Sequence, residues 1–288
     1  MDLTNGPLRL RLAPETGGAI HGWWHEGRAL LRETPPDGAD VRDHASFPLI
    51  PFSNRIARGQ FRFGGEAFTL PRDPRDPRHA LHGNALYARW QVARAGPASA
   101  LLSLTYRPDL PQTPFFPFAY TAWQRYTLSP TGLSIGLCLR NDDKRPFPAG
   151  LGHHLYFPRT LSTRLRFWAA GHWETGTDGL PSRRSTTWRD EFAQGAALAG
   201  ARFDNGFYGW ARQVEITEAA AGYGLRLRAS AALAHAVLYV PETHAYFAFE
   251  PVSHGIDAIN REGMRVLAPG ACLRGGIICT ISASPAGA

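Results

Sequence analysis

Glu250 closes the aromatic run Ala245-Tyr246-Phe247-Ala248-Phe249-Glu250-Pro251. Removing such a carboxylate from water raises its pKa from ~4.3 toward neutrality, where it works as a base. A strand-end glutamate looking into water fits the same segment. Among the 11 histidines, His82 in Leu81-His82-Gly83-Asn84 and the pair in Gly152-His153-His154-Leu155-Tyr156-Phe157 have unusual neighbours. Each, taken singly, reads equally well as a buried neutral imidazole bonded to a carbonyl. Adjacent side chains on a strand point to opposite faces, so at most one of His153 and His154 enters a given pocket. Asp204, in Arg202-Phe203-Asp204-Asn205-Gly206-Phe207, suits an Asx-turn as well as a site. Arg55, in Phe52-Ser53-Asn54-Arg55-Ile56, has apolar neighbours that favour a paired guanidinium presenting its fork to oxygen ligands, or else a structural ion pair. The 8 Trp and 9 Tyr offer flat faces for the C–H side of a sugar, and core packing uses the same residues.

Strands must position these groups, because alternation dominates the pattern. Leu8-Arg9-Leu10-Arg11-Leu12, Gln60-Phe61-Arg62-Phe63 and Leu101–Tyr106 read as strands, and Tyr120–Leu128 with Leu133–Leu139 as a hairpin turning at Ser129-Pro130-Thr131-Gly132. A second hairpin joins Val214–Ile216 to Leu225–Arg228 through Gly222-Tyr223-Gly224, and further strands are expected at 164–168, 236–240, 246–249 and 276–281. Residues 71–79, 108–117 and roughly 171–200 read as loops. Many short strands with 30 Gly and 23 Pro predict an all-β fold, a large antiparallel sandwich or barrel, and the whole chain, 1–288, reads as one domain.

The net charge of +7 rests on arginines scattered singly between apolar residues, which predicts solvated sheet faces rather than a nucleic-acid surface. The only lysine, Lys144, weakens Schiff-base and P-loop chemistry. Cys138, Cys272 and Cys279 form no C-x-x-C pair and read as small hydrophobes. The histidines and carboxylates lack metal-ligand spacing, so no metal is expected. No apolar stretch approaches the ~18 residues of a membrane span, and the cytoplasm is the expected compartment.

In chain order, Gly17-Gly18, Phe47-Pro48-Leu49-Ile50-Pro51-Phe52-Ser53-Asn54-Arg55-Ile56 with Gly59, Leu81-His82-Gly83, His154-Leu155-Tyr156-Phe157, Phe203–Phe207, Phe249-Glu250-Pro251 and Leu267-Ala268-Pro269-Gly270 together resemble the aldose 1-epimerase (galactose mutarotase) family. The resemblance runs from about Leu8 to the C-terminus. It implies the family's large antiparallel β-sandwich with a cleft across one sheet. It implies Glu250 as the general base on the anomeric hydroxyl and His154, which precedes x-Tyr-Phe, as the general acid on the ring oxygen. Arg55, His82, Asp204 and Asn54 match substrate-binding positions. Pro158 stands where many relatives carry Asn, at a position that shapes the pocket.

The implied reaction interconverts the α and β anomers of a free aldose and calls for no cofactor. Its partner is a small sugar, with an aldohexose expected and no oligomeric state implied. Competing readings are a non-catalytic sugar-binding or regulatory protein on the same fold, a hexose-6-phosphate 1-epimerase, and a glycosidase or lyase using Glu250 with Asp204, whose carboxyl separation would be ~5–5.5 Å for retention or ~6.5–9.5 Å for inversion.

Overall fold

A computed structural model describes residues 1–109 and 115–283. The alternating segments pair, antiparallel throughout, into two large sheets. The 11-stranded sheet runs in the order Asp2–Asn5, Leu8–Ala13, Ala19–His25, Ser46–Leu49, Gly152–Pro158, Tyr246–Val252, His235–Val240, Phe203–Tyr208, Gly171–Thr175, Pro181–Ser185, with Arg28–Ala29 beside Ala19–His25. The 9-stranded sheet runs Gln91–Ala95, Ser99–Tyr106, Tyr120–Ser129, Gly132–Asn141, Cys272–Ala283, Tyr223–Ala229, Gln213–Glu218, Thr163–Phe167, Ala196–Ala197. This is the expected all-β sandwich.

Period-two alternation explains the layering. In Leu8–Ala13 the leucines are buried while Arg9 is exposed, and in Tyr223–Ala229 Leu225 and Leu227 turn inward as Arg226 and Arg228 face water. A buried cluster with members from Leu3 to Cys279 fills the space between the sheets, and includes Leu155, Phe157, Phe247, Phe249 and Leu238. A second, smaller cluster of Phe47, Leu49, Tyr156, Val237, Ala248 and Val252 lies on the other face of the 11-stranded sheet, where loops cover it. That outer cluster lies on the face that carries the site.

Several expectations are corrected. Residues 171–200 are not a loop: they hold the strands Gly171–Thr175, Pro181–Ser185 and Ala196–Ala197 and the helix Arg189–Gln194. Edge strands such as Pro181-Ser-Arg-Arg-Ser pair through backbone while facing water, so no apolar alternation betrays them. The second hairpin turns earlier than expected, through the 3-10 turn Ala219–Ala221 and Gly222, and Tyr223 and Gly224 already belong to the returning strand. Asp204 lies on a strand paired with Tyr239, not in an Asx-turn. Cys279 is buried as expected, but Cys138 and Cys272 alternate to the outer sheet face and are partly exposed. Residues 71–79 remain irregular, closed by an Asp73–Asp76 bridge, and part of the 108–117 loop, 110–114, lies outside the described residues. Among the described residues no helix is long and apolar enough to cross a membrane.

Candidate active site

Register places the acid and base candidates side by side. The histidine strand, Gly152–Pro158, and the glutamate strand, Tyr246–Val252, pair with Leu155 opposite Phe249, so one step back His154 stands across from Glu250 on the same face. Phe47 is the cross-strand partner of His154, and Val237 that of Glu250. One step along that face, Tyr156, Ala248, Tyr239 and Asp204 form a parallel row. The floor of the site is therefore two rows of side chains across five strands, and strand alternation alone sends Leu155 and Phe249 to the core beneath it.

His153 faces the other way. Its Nδ1 bonds the Ser46 hydroxyl, and its Nε2 lies 3.3 Å from both the Tyr126 hydroxyl and the Gln124 side-chain Oε1, which reach across from the second sheet. Burial pushes its pKa down to about 3. Such an imidazole is neutral and structural.

His154 Nε2 lies 3.2 Å from Glu250 Oε1. The imidazole packs between Phe47, with ring centroids 4.7 Å apart, and Tyr156, 4.4 Å away. His154 Nδ1 and Glu250 Oε2 are buried without hydrogen-bond partners among the described residues. Burial lowers the His154 proton affinity well below the ordinary imidazole value, with Arg32 and Arg42 adding to it. Burial likewise raises Glu250 well above the ordinary carboxyl value, helped by Asp204 and opposed by Arg55. Both shifts favour the neutral forms, in which the pair carries one proton between its facing atoms. Whichever group holds it, one side of the pair is an acid and the other a base.

Loops supply the walls. Asn54, at φ 59, and His82, at φ 64, adopt left-handed backbone that brings Arg55 and the imidazole over the sheet. Gly83 is needed beside His82, because a Cβ there would lie 2.2 Å from the Ile50 carbonyl oxygen. The His82 backbone N–H donates to the Asn54 carbonyl, and the Asn54 N–H donates to His82 Nδ1, 3.1 Å away. Accepting at Nδ1 fixes the neutral tautomer with its proton on Nε2, as a donor. Burial, with His154 and two arginines nearby, keeps this ring neutral.

Arg55 is held by Asp76, whose Oδ2 accepts from Nε at 2.8 Å, by Asn54 Oδ1 at 3.3 Å from Nη1, and by the Gly179 carbonyl at 3.5 Å. Its Nη1 stands 3.6 Å from Asp204 Oδ2. Asn54 thus orients Arg55 through its Oδ1, which also accepts the Arg55 backbone N–H. Asp204, with its side chain 42% exposed, marks the open side of the hollow, which deepens to Glu250 at 2%. Its surroundings still withdraw enough water to raise its pKa, while Arg55 opposes the rise.

The structure therefore brings His154, Glu250, His82, Asn54, Arg55 and Asp204 to one hollow. A cavity of about 570 Å³ bordered by Asp73, Asn84, Tyr87 and Phe115 is a different place, with neither His154 nor Glu250 in its lining. Residues not singled out beforehand complete the hollow. Tyr156 shares the face of His154 by strand period, which was readable. Arg32 follows Leu30-Leu31 in the same kind of apolar setting that flagged Arg55. Gly179 comes from a turn and carried no signal, and Asp76 was visible only as one carboxylate of the irregular Arg-Pro-Asp tract in 71–79. Among the described residues no group of three or more His, Cys, Asp or Glu side chains is placed to hold a metal ion.

Residues 3–279 match the family model for aldose 1-epimerase. The chain is 29% identical over 280 residues to the uncharacterized protein YphB of Escherichia coli (strain K12), covering 93% of each. It superposes with a TM-score of 0.89 and 27% identity on an Escherichia coli K12 crystal structure assigned provisionally as an aldose 1-epimerase, covering 98% of each chain. It also superposes on the GalM/aldose epimerase homologue of C. elegans, with a TM-score of 0.86, 20% identity and 99% of each chain covered, a likeness of fold.

Proposed function

The chain belongs to the aldose 1-epimerase family, and we propose that it catalyses mutarotation of a free aldose, with Glu250 as general base and His154 as general acid. The observation that carries this reading is the 3.2 Å approach of His154 Nε2 to Glu250 Oε1 at the bottom of a hollow lined by donors. A hemiacetal carries its anomeric hydroxyl and its ring oxygen on the same carbon, so acid and base must be immediate neighbours. Glu250 removes the proton from the C1 hydroxyl as His154 gives one to the ring oxygen, and the C1–ring oxygen bond opens. The aldehyde turns about C1–C2, and the same transfers in reverse close the other anomer.

Sugar oxygens arriving at the unpartnered Glu250 Oε2 solvate the carboxylate, and Arg55 lowers its proton affinity further, so the shared proton passes to His154. His82 Nε2–H, Asn54, Arg55 and Asp204 hold the hydroxyls. No step calls for a cofactor, and the buried cluster with members from Leu3 to Cys279 supports one folding unit.

Polarimetry on freshly dissolved α-anomers tests the proposal. The wild type should accelerate relaxation for at least one common aldose, and Glu250→Gln should lose about 10²–10⁴-fold of that rate while staying folded. Sugar binding without acceleration would leave a binding protein on the same fold. Acceleration confined to 6-phosphates would move the substrate to hexose 6-phosphates.

A further inference from the structure

Building on the acid–base reading above, we propose that Arg32 is the positioning residue of His154: its guanidinium clamps Tyr156 against the imidazole and keeps an uncompensated positive charge one ring away from the proposed acid.

The clamp is drawn by five contacts of Arg32. The Arg32 backbone N–H donates to the Tyr156 carbonyl at 2.9 Å. Its Nη2 donates to the carbonyls of Arg42 and His44, both at 2.7 Å. Its Cζ lies 3.8 Å from the Tyr156 ring centroid and 4.6 Å from that of Tyr246, so two aromatic rings flank the cation. Tyr156 in turn packs on His154. Fixing Tyr156 therefore limits how the imidazole can tilt away from Glu250.

The charge is distinctive because the neighbouring arginines are neutralised. Arg42 pairs with Asp73 and Arg55 with Asp76, whereas among the described residues no carboxylate lies within 4.0 Å of Arg32. Two backbone carbonyls accept from its Nη2, its buried Nε has no hydrogen-bond partner among the described residues, and its net charge stays in place. The charged and titratable groups facing His154 are Glu250 on the glutamate strand, His82 on the loop wall, Arg32 and Arg42 ahead of Ser46–Leu49, and Tyr156 on its own strand, while the adjacent His153 points to the opposite face. Glu250 faces Asp204, Arg55 and Tyr156. Like burial, the charge of Arg32 acts against protonation of His154.

Two variants separate the two roles. The active pair holds one proton; it gains a second on the acid limb and loses the first on the alkaline limb. Removing a nearby positive charge strengthens proton binding at both steps. Arg32→Met should therefore move both limbs of the kcat profile to higher pH together, by about one unit. Arg32→Lys keeps the charge but lacks the planar fork, so kcat should fall several-fold with the limbs unmoved. Histidine NMR titration of the same proteins reads the His154 shift without turnover. If Arg32→Met does not fold, an unchanged kcat in Arg32→Lys overturns the clamp. Arg32→Met limbs and a His154 titration superimposable on wild type overturn the charge effect. A wild type that does not speed mutarotation defeats the reaction assigned above instead, and leaves the NMR arm to judge Arg32.

Discussion

Behind the histidine strand, His153 has partners for both ring nitrogens in Ser46, Tyr126 and Gln124. In front of it, among the described residues, His154 leaves Nδ1 without a partner and meets a glutamate whose second oxygen is equally unmatched. The two residues are adjacent, of one type, and both buried. What separates them is saturation: a polar group whose bonds are all made internally fixes the fold, and one left incomplete is kept for something that arrives. An apolar filling would stabilise the front face better, so its incomplete groups point to function rather than stability.

The contrast breaks most visibly by exchanging the consequences of two substitutions. His154→Asn should lower accelerated mutarotation by about 10²–10⁴-fold and leave the unfolding midpoint near wild type. His153→Asn should keep the rate per folded molecule within about tenfold and cost about 1–3 kcal/mol in denaturant unfolding, since Tyr126 and Gln124 lose a matched partner. The reverse pattern would remove the distinction between front and back.

Acid sharpens the same contrast. His153 has a folded pKa of about 3, far below the 6.5 of a free imidazole, so between these values the unfolded chain binds a proton that the native one refuses. Its contribution to stability is fully present above about pH 6.5 and is lost as pH falls toward 3. Unfolding free energies measured across that window should decline less steeply in His153→Asn, and curves that run parallel would assign the acid sensitivity elsewhere.

The smallest expected effect concerns the wall. Gly179 sits at φ +78, and a Cβ there would lie 2.6 Å from Arg55 Cζ. Gly179→Ala should displace the guanidinium and raise KM a few-fold, with a smaller fall in kcat because Arg55 also lowers the proton affinity of Glu250.

The sandwich was legible because Leu8–Leu12 or Leu101–Tyr106 alternate over a core that demands it. His154 and Glu250 were legible as motif members, but their facing one another depends on the register of Leu155 with Phe249, which no local pattern encodes. The strand Pro181–Ser185 escaped notice because a polar edge strand buries too little to leave a trace. Asp76 could be seen as a carboxylate in an Arg-Pro-Asp tract, yet its partnership with Arg55 is a tertiary fact.

The groups that meet in the hollow come from segments as far apart in the chain as Arg32 and Glu250, and three of the strands beneath them are neighbours only through long-range pairing. The proposed turnover should for that reason report the integrity of the entire sheet: a proteolytic fragment should lose it, and on heating, loss of catalysis and loss of near-ultraviolet ellipticity should trace one curve.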